Sequence, residues 1–106
     1  MEGSFSTELS NEVLKITAAG KLDPTNAPAL MEELKSYIGK PVKKIVFFVK
    51  DLEYMSSGGL RTVIFARQKV GESSDVYMIG AQEMVMHVLK MSSLDDFIKF
   101  QDSYED

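Results

Sequence analysis

The segment that decides the fold is residues 45–61, Ile45-Val46-Phe47-Phe48-Val49-Lys50-Asp51-Leu52-Glu53-Tyr54-Met55-Ser56-Ser57-Gly58-Gly59-Leu60-Arg61. Its first five residues are all apolar, and such a β-branched and aromatic run is typical of a strand covered on both faces. A polar loop follows, and two serines and two glycines then lead into a helical pattern. A strand-to-helix turn of this kind presents a serine hydroxyl beside unpaired helical N–H groups, an arrangement that suits a phosphate.

The size and composition of the chain indicate a soluble cytoplasmic protein with a single domain, residues 1–106. The chain has 44% apolar and 26% charged residues and no cysteine, which excludes disulfides, thiolate chemistry and cysteine zinc sites. No signal peptide begins it, and no apolar run approaches the ~20 residues of a membrane span. A net charge of −4 disfavours direct binding of nucleic acid.

Outward from residues 45–61, hydrophobic spacing predicts five strands and three helices. The predicted strands are Phe5–Leu9, Val13–Ala19, Val42–Val49, Asp75–Gly80 and Phe97–Phe100. The predicted helices are Ala27–Ile38, Gly59–Val70 and Gln82–Met91. The order β-β-α-β-α-β-α-β predicts an α/β fold, in which helices pack on a mixed, mainly parallel sheet that begins with a hairpin turned at Ser10-Asn11.

The segments between these elements are predicted to be loops. Residues 20–26 form one loop, with Asp23 or Thr25 as the N-cap of the first helix, and Gly39 ends that helix as its C′ residue. Residues 50–55 are predicted to form the loop before the serine turn. The polar tail, residues 101–106, is expected to fray.

Ser57 has three interpretations from its residues alone: a helix N-cap, a phosphorylation site or a nucleophile. Capping needs only a serine, and either Ser56 or Ser57 could accept the N–H bond of an N-cap. Two glycines in the first turn of a helix each cost up to ~1 kcal/mol relative to alanine, which favours a site where something approaches the backbone closely. A phosphate on Ser57 would lie where the helix dipole stabilises negative charge.

Catalysis and metal binding have little support in the sequence. A serine hydrolase needs a base, and the only histidine, His87, lies in the middle of an apolar helical segment. The turn lacks the Lys-Ser/Thr pair of a Walker A motif. Asp95 and Asp96 are adjacent rather than spaced as metal ligands. We therefore expect no enzymatic activity, no metal and no cofactor.

The sequence resembles a known family, the STAS domains, and within that family the anti-sigma factor antagonists. Gly20-Lys21-Leu22-Asp23 is similar to the family motif before the first helix, and residues 45–52 to its central strand. Tyr54-Met55-Ser56-Ser57-Gly58-Gly59-Leu60 is similar to its signature, in which an aromatic and an aliphatic residue precede the phosphorylated serine. Met91-Ser92-Ser93-Leu94 followed by Phe97-Ile98 is similar to its closing helix and strand.

The resemblance implies a phosphorylation switch at Ser57, with the neighbouring Ser56 as a rival acceptor. In the family, an anti-sigma factor with serine kinase activity binds the unmodified antagonist and thereby releases its sigma factor. Phosphorylation of the serine prevents this binding, and a phosphatase restores it. By the same resemblance, Asp23 contributes to partner contact, and we expect the partner-binding residues to be Asp23, Ser56, Ser57, Gly58, Gly59 and Arg61.

This chain departs from the family pattern at two positions, and one alternative function stays open. Ser56 stands where aspartate is common, and Arg61 stands where a small or aliphatic residue is common and would tune partner choice or pair with a phosphate. The alternative is an interaction module without phosphorylation, or a nucleotide- or lipid-sensing module of a signalling or transport assembly. Gly58-Gly59 leaves room for the anion of a nucleotide in that case.

Overall fold

The structure is a computed structural model that describes residues 3–72 and 74–104. In chain order its elements are β1 (Ser4–Ser10), β2 (Val13–Leu22), α1 (Ala27–Lys35), β3 (Lys44–Phe48), β4 (Leu52–Met55), α2 (Ser57–Phe65), a π-helical turn (Ala66–Val70), β5 (Asp75–Ile79), α3 (Glu83–Met91), a 3₁₀ turn (Leu94–Phe97) and β6 (Ile98–Gln101). The predicted α/β class and element order are confirmed, with one additional strand.

The sheet is mixed and mainly parallel, as predicted. Its order is β1-β2-β3-β5-β6, and among the strands of the described residues only β1 runs antiparallel to its neighbour. Asn11 and Glu12 turn the β1–β2 hairpin with φ of 53° and 65°. Positive φ at both central residues is the type I′ geometry, which matches the twist of paired strands. The turn therefore lies one residue later than the predicted Ser10-Asn11.

The added strand, β4, lies in the segment predicted to be the loop before the serine turn. It pairs in parallel with the end of β2, after a register shift between Gly20 and Lys21. Accordingly, β2 continues to Leu22, three residues beyond the predicted end at Ala19. Leu52 and Met55, the two ends of β4, are both buried. The serine turn is thus attached directly to a short strand rather than to a free loop.

The helices differ from the predictions mainly at their ends. Asn26 occupies the N-cap of α1 without a side-chain cap bond, so the prediction of Asp23 or Thr25 as the cap is wrong. The α-helix ends at Lys35 with Ser36 as its C-cap, so the prediction of Gly39 as the C′ residue is wrong. Tighter turns continue to Gly39, whose φ of +90° suits glycine. α2 begins at Ser57, two residues before the predicted start.

All three helices pack on one face of the sheet. Alternate residues of the strands, which point to the same face, form one buried cluster with residues of every helix. The members of this cluster include Leu14, Ile16, Ile45, Phe47, Val76 and Met78 from the strands, with Leu30, Leu34, Val63, Ala66, Val85 and Leu89 from the helices and the π-helical turn. The serine turn is therefore held at the edge where β2 and β4 end and α1 and α2 begin.

The C-terminal segment lies against the opposite face. Gln101 pairs with Ile79 as the last residue of β6, so the fraying predicted from Gln101 does not begin there. The Tyr104 ring stands edge-on to Phe48 and Tyr77, at centroid distances of 5.8 Å and 6.2 Å. The end of the predicted tail, residues 105–106, lies outside the described residues.

Candidate functional site

The two serines of the turn have different environments. Ser56, the N-cap of α2, has an extended backbone, and its Oγ accepts a hydrogen bond from the Gly59 N–H at 3.2 Å. Ser56 is half-buried, whereas Ser57, the first residue of the helix, is exposed. Ser56 therefore supplies the cap, and the Ser57 hydroxyl is presented to solvent at the positive end of the helix.

Strand pairing brings the Asp23 loop beside the serine turn. Leu22 and Met55 are register partners at the ends of β2 and β4, and the Ser56 N–H donates to the Leu22 carbonyl oxygen at 2.9 Å. The residues that follow these two strands therefore begin at neighbouring positions. The structure thus brings together the two segments that the sequence analysis singled out separately.

The Asp23 carboxylate forms its hydrogen bonds within its own loop. Its Oδ1 accepts hydrogen bonds from both the hydroxyl and the backbone N–H of Thr25. These bonds, with the hydroxyl of Thr25 as the larger cause, lower the pKa of Asp23 below its usual value. Asn26 completes the loop, since its Oδ1 accepts from the Asp23 N–H and its Nδ2 donates to the Lys21 carbonyl oxygen. The loop is a pre-shaped surface beside Ser57.

An open groove runs between the starts of α1 and α2, next to Ser57. It is lined by Pro24, Ala27, Pro28, Met31, Ser57, Gly58 and Arg61. Its α1 side is apolar, and the exposed Arg61 lies on α2 four residues after Ser57, on the same side of the helix. We call this surface the Ser57 groove. Such a surface suits a protein partner better than a buried small molecule.

The α1 side of this groove was not singled out in the sequence analysis. Pro24 lies in the loop before α1, while Pro28 and Met31, three residues apart in the helix, lie on the same side of it. The sequence signal for this side of the groove is the pair Pro28 and Met31 at i and i+3, next to the loop residue Pro24.

The two glycines of the turn have different roles. A Cβ on Gly59 would lie 2.8 Å from Met55 Cγ and 3.1 Å from both Leu22 Cγ and the Leu22 carbonyl oxygen. A Cβ on Gly58 would meet Ala27 Cβ at 3.4 Å, an ordinary contact. The close approach that the sequence predicts for Gly59 is therefore the approach of α2 to β2 and β4.

Among the described side chains, the other candidates from the sequence are not assembled into a second centre. His87 is exposed in the middle of α3, and no hydrogen bond in the described part of the chain joins it to Ser57. Within residues 3–72 and 74–104, no group of His, Asp and Glu side chains is arranged to hold a metal ion. No helix in this part of the chain is long and apolar enough to cross a membrane.

The model of the STAS domain family matches residues 4–106, which is nearly the whole chain. The chain belongs to the STAS domain family. The family resemblance inferred from the serine turn and the residues around it is thereby confirmed. In this STAS domain, the serine signature coincides with the strand-to-helix turn from β4 to α2.

Solved structures share this STAS fold. An anti-sigma factor antagonist from Mycobacterium paratuberculosis is 17% identical, with a TM-score of 0.80 over 96% of this chain and 87% of that one. The Bacillus cell fate determinant SpoIIAA in its phosphorylated form is 18% identical, with a TM-score of 0.75 over 96% and 93%. The anti-sigma factor antagonist SpoIIAA in its unphosphorylated form is 16% identical, with a TM-score of 0.71 over 96% and 90%. At these identities the likeness establishes the fold.

Proposed function

We propose that this protein is an anti-sigma factor antagonist whose binding is switched by phosphorylation of Ser57. The unmodified form binds a cognate anti-sigma factor with serine kinase activity, which then releases its sigma factor. Phosphorylation of Ser57 ends this binding, and a phosphatase restores it. The protein itself acts without catalysis, in the cytoplasm, and makes no direct contact with nucleic acid.

The observation that carries the proposal is the division of roles between the two serines. The Ser56 hydroxyl caps α2 through the Gly59 N–H, while the Ser57 hydroxyl is exposed at the first helical position. A kinase needs an accessible hydroxyl, and a phosphate at a helix start is stabilised by the helix dipole. This supports Ser57 over its rival Ser56 as the acceptor.

The surface beside Ser57 supports the direction of the switch. Pro24, Pro28 and Met31 give the Ser57 groove an apolar side, and a partner that covers it would press against the Ser57 hydroxyl. A neutral hydroxyl is tolerated at such a contact. A phosphate of about −2 charge would have to lose its water there, and it would repel any acidic group of the partner. Phosphorylation should therefore weaken binding.

The remaining partner-binding residues are assigned by their positions around the same turn. Asp23 shapes the neighbouring loop, Gly58 lines the groove, and Arg61 supplies its positive charge. Ser56 and Gly59 contribute indirectly, because they fix the start of α2 against β2 and β4. We propose that the partner contacts the Asp23 loop and the first turns of α1 and α2 together.

Variants of the serine turn test the proposal. The wild-type protein, Ser57→Ala, Ser57→Asp and Ser56→Ala are each immobilised and used to capture partners from host lysate. We expect the wild-type and Ser57→Ala proteins to retain the same kinase-type ATPase and Ser57→Asp to lose it. Ser56→Ala should still bind but be less stable, since loss of a cap costs about 1 kcal/mol.

Two results would contradict the proposal. One is equal capture of the partner by Ser57→Ala and Ser57→Asp, which would leave no switch at this position. The other is thermal stabilisation by GTP or ATP that disappears in Ser57→Glu, without capture of any kinase. That result would favour the nucleotide-sensing alternative.

A further inference from the structure

A second pocket lies away from the serine turn, between α2 and β6. Its volume is about 130 Å³. Its apolar wall is formed by Val63, Ile64, Val76, Leu94 and Ile98. We call it the α2–β6 pocket. An apolar cavity of roughly 150 Å³ in a protein interior accepts a benzene ring, so this pocket has room for a ring or a short branched alkyl group.

The polar rim of this pocket is formed by Arg67 and Gln68. The Arg67 guanidinium lies 4.4 Å from the centroid of the Phe97 ring, which also lines the pocket and is 52% exposed. Stacking on an aromatic ring holds the guanidinium in place while its edge N–H groups stay available. No carboxylate among the described side chains forms an ion pair with Arg67.

The backbone around Arg67 departs from a regular helix. Residues 66–70 form a π-helical turn, in which the Gly71 N–H donates to the Ala66 carbonyl oxygen at 2.8 Å. Such turns are rare and frequently occur at functional sites. This turn carries both polar residues of the pocket rim, and the sequence pattern predicted an uninterrupted helix through it.

We propose that the α2–β6 pocket binds a small apolar carboxylate, such as an aromatic or short branched-chain acid. The hydrocarbon part occupies the wall of Val63, Val76 and Leu94. The carboxylate lies at the rim and accepts hydrogen bonds from the Arg67 guanidinium, the donor best suited to a planar carboxylate. A neutral ligand of the same shape would leave this charge without an anion. The pocket therefore selects for an acid.

The carboxylate of Asp96 lies near the proposed binding site for the acid. Asp96 lines an adjoining hollow together with Arg67, and Asp75 in the same hollow already pairs with Lys99 at 3.5 Å. The exposed Asp96 is not paired with Arg67, yet its negative charge lies in the hollow that Arg67 also lines. It opposes a bound carboxylate, so its removal should strengthen binding.

The test is an NMR titration of the full chain with benzoate and, separately, with the neutral analogue benzyl alcohol. We expect benzoate to shift the amide signals of Val63, Arg67 and residues 94–98, with a dissociation constant of about 1 mM or lower. Benzyl alcohol should bind about tenfold more weakly, because a charge-assisted hydrogen bond is roughly twice as strong as a neutral one.

Three variants assign the effect to the rim. Arg67→Met keeps an apolar side chain against Phe97 and should remove the preference for benzoate. Lys69→Met removes a positive charge from the same π-helical turn but outside the pocket, and should leave benzoate affinity unchanged. Asp96→Asn should increase it. The proposal would be overturned if these residues show no shifts at benzoate concentrations up to about ten times the expected dissociation constant. Equal affinity for benzoate and benzyl alcohol would also overturn it.

Discussion

Ser57 and Ser56 are neighbours that differ in what their hydroxyls do. The Ser56 hydroxyl is occupied as the cap of α2, and the Ser57 hydroxyl faces solvent. The residues of the motif predict a capping serine and a modifiable serine without assigning the two roles, and the family resemblance alone assigns phosphorylation to Ser57. The assignment depends on where the helix begins, and α2 begins at Ser57 because β4 holds Ser56 against Leu22.

The two glycines of the turn give a prediction at the scale of single residues. Gly59→Ala should lower the free energy of unfolding by about 1–3 kcal/mol, because the added methyl overlaps Met55 and the backbone of Leu22. Gly58→Ala is the matched control and should be neutral or stabilising by up to about 1 kcal/mol, since its methyl finds ordinary space in a helix. Urea denaturation measures both. Equal destabilisation by the two changes would contradict the difference in packing.

The lowered pKa of Asp23 gives a second residue-scale prediction. Because Thr25 favours the charged carboxylate, its bonds stabilise the loop above the usual carboxyl pKa, and this contribution is lost as the pH falls through the lowered value. An NMR titration should show the pKa of Asp23 below the ordinary value, and Thr25→Val should raise it toward that value. Thr7→Val, whose hydroxyl bonds Glu33 instead, is the control. An unchanged Asp23 titration in Thr25→Val would contradict this account.

Among the elements, the local residue pattern predicts the long strands and helices. β4 and the extended end of β2 depend instead on non-local strand pairing. β3 and the apolar stripes of α1 and α3 follow directly from their residues. β4 is four residues long, with exposed Glu53 and Tyr54 between buried ends, so it lacks the alternation that identifies a half-buried strand. It is a strand because the end of β2 lies beside it. The cap of α1 differs from the prediction for a local reason, since the Asp23 carboxylate accepts bonds from Thr25 in its own loop and the N-cap position falls on Asn26.

The C-terminal segment gives a prediction at this scale. The Tyr104 ring lies against Phe48 and Tyr77, and the Lys44 ammonium is 5.3 Å from its centroid. Tyr104→Ala should lower the free energy of unfolding by about 1–3 kcal/mol through loss of these ring contacts. Tyr104→Phe keeps the ring and should retain most of the stability. If Tyr104→Ala unfolds at the same urea concentration as the wild type, the segment does not stabilise this face of the sheet.

At the scale of the whole molecule, the topology explains why the site lies where it does. Parallel strands direct their carboxyl ends to one edge of the sheet, and the functional loops of such sheets lie at that edge. The predicted order of elements therefore places the serine turn at this edge, although the turn follows the short β4 rather than β3 directly. The apolar side of the Ser57 groove depends on how α1 packs beside α2, and no local pattern specifies that packing.

The same topology separates two surfaces with different proposed ligands. The Ser57 groove lies at the starts of α1 and α2, and the α2–β6 pocket lies toward the π-helical turn that follows α2. α2 contributes residues to both. Benzoate binding is measured without any protein partner, so its failure would leave the proposed switch at Ser57 untouched.

The measurement that tests the central claim most directly is mass spectrometry of the protein with its captured partner before and after addition of ATP. We expect the peptide that contains Ser57 to gain about 80 Da, one phosphoryl group, and the partner to be released as the modified form accumulates. Fragmentation should place the phosphate on Ser57, and Ser57→Ala should stay unmodified and bound. A captured partner that leaves Ser57 unmodified, or a phosphate on Ser56 with Ser57 unchanged, would contradict the account.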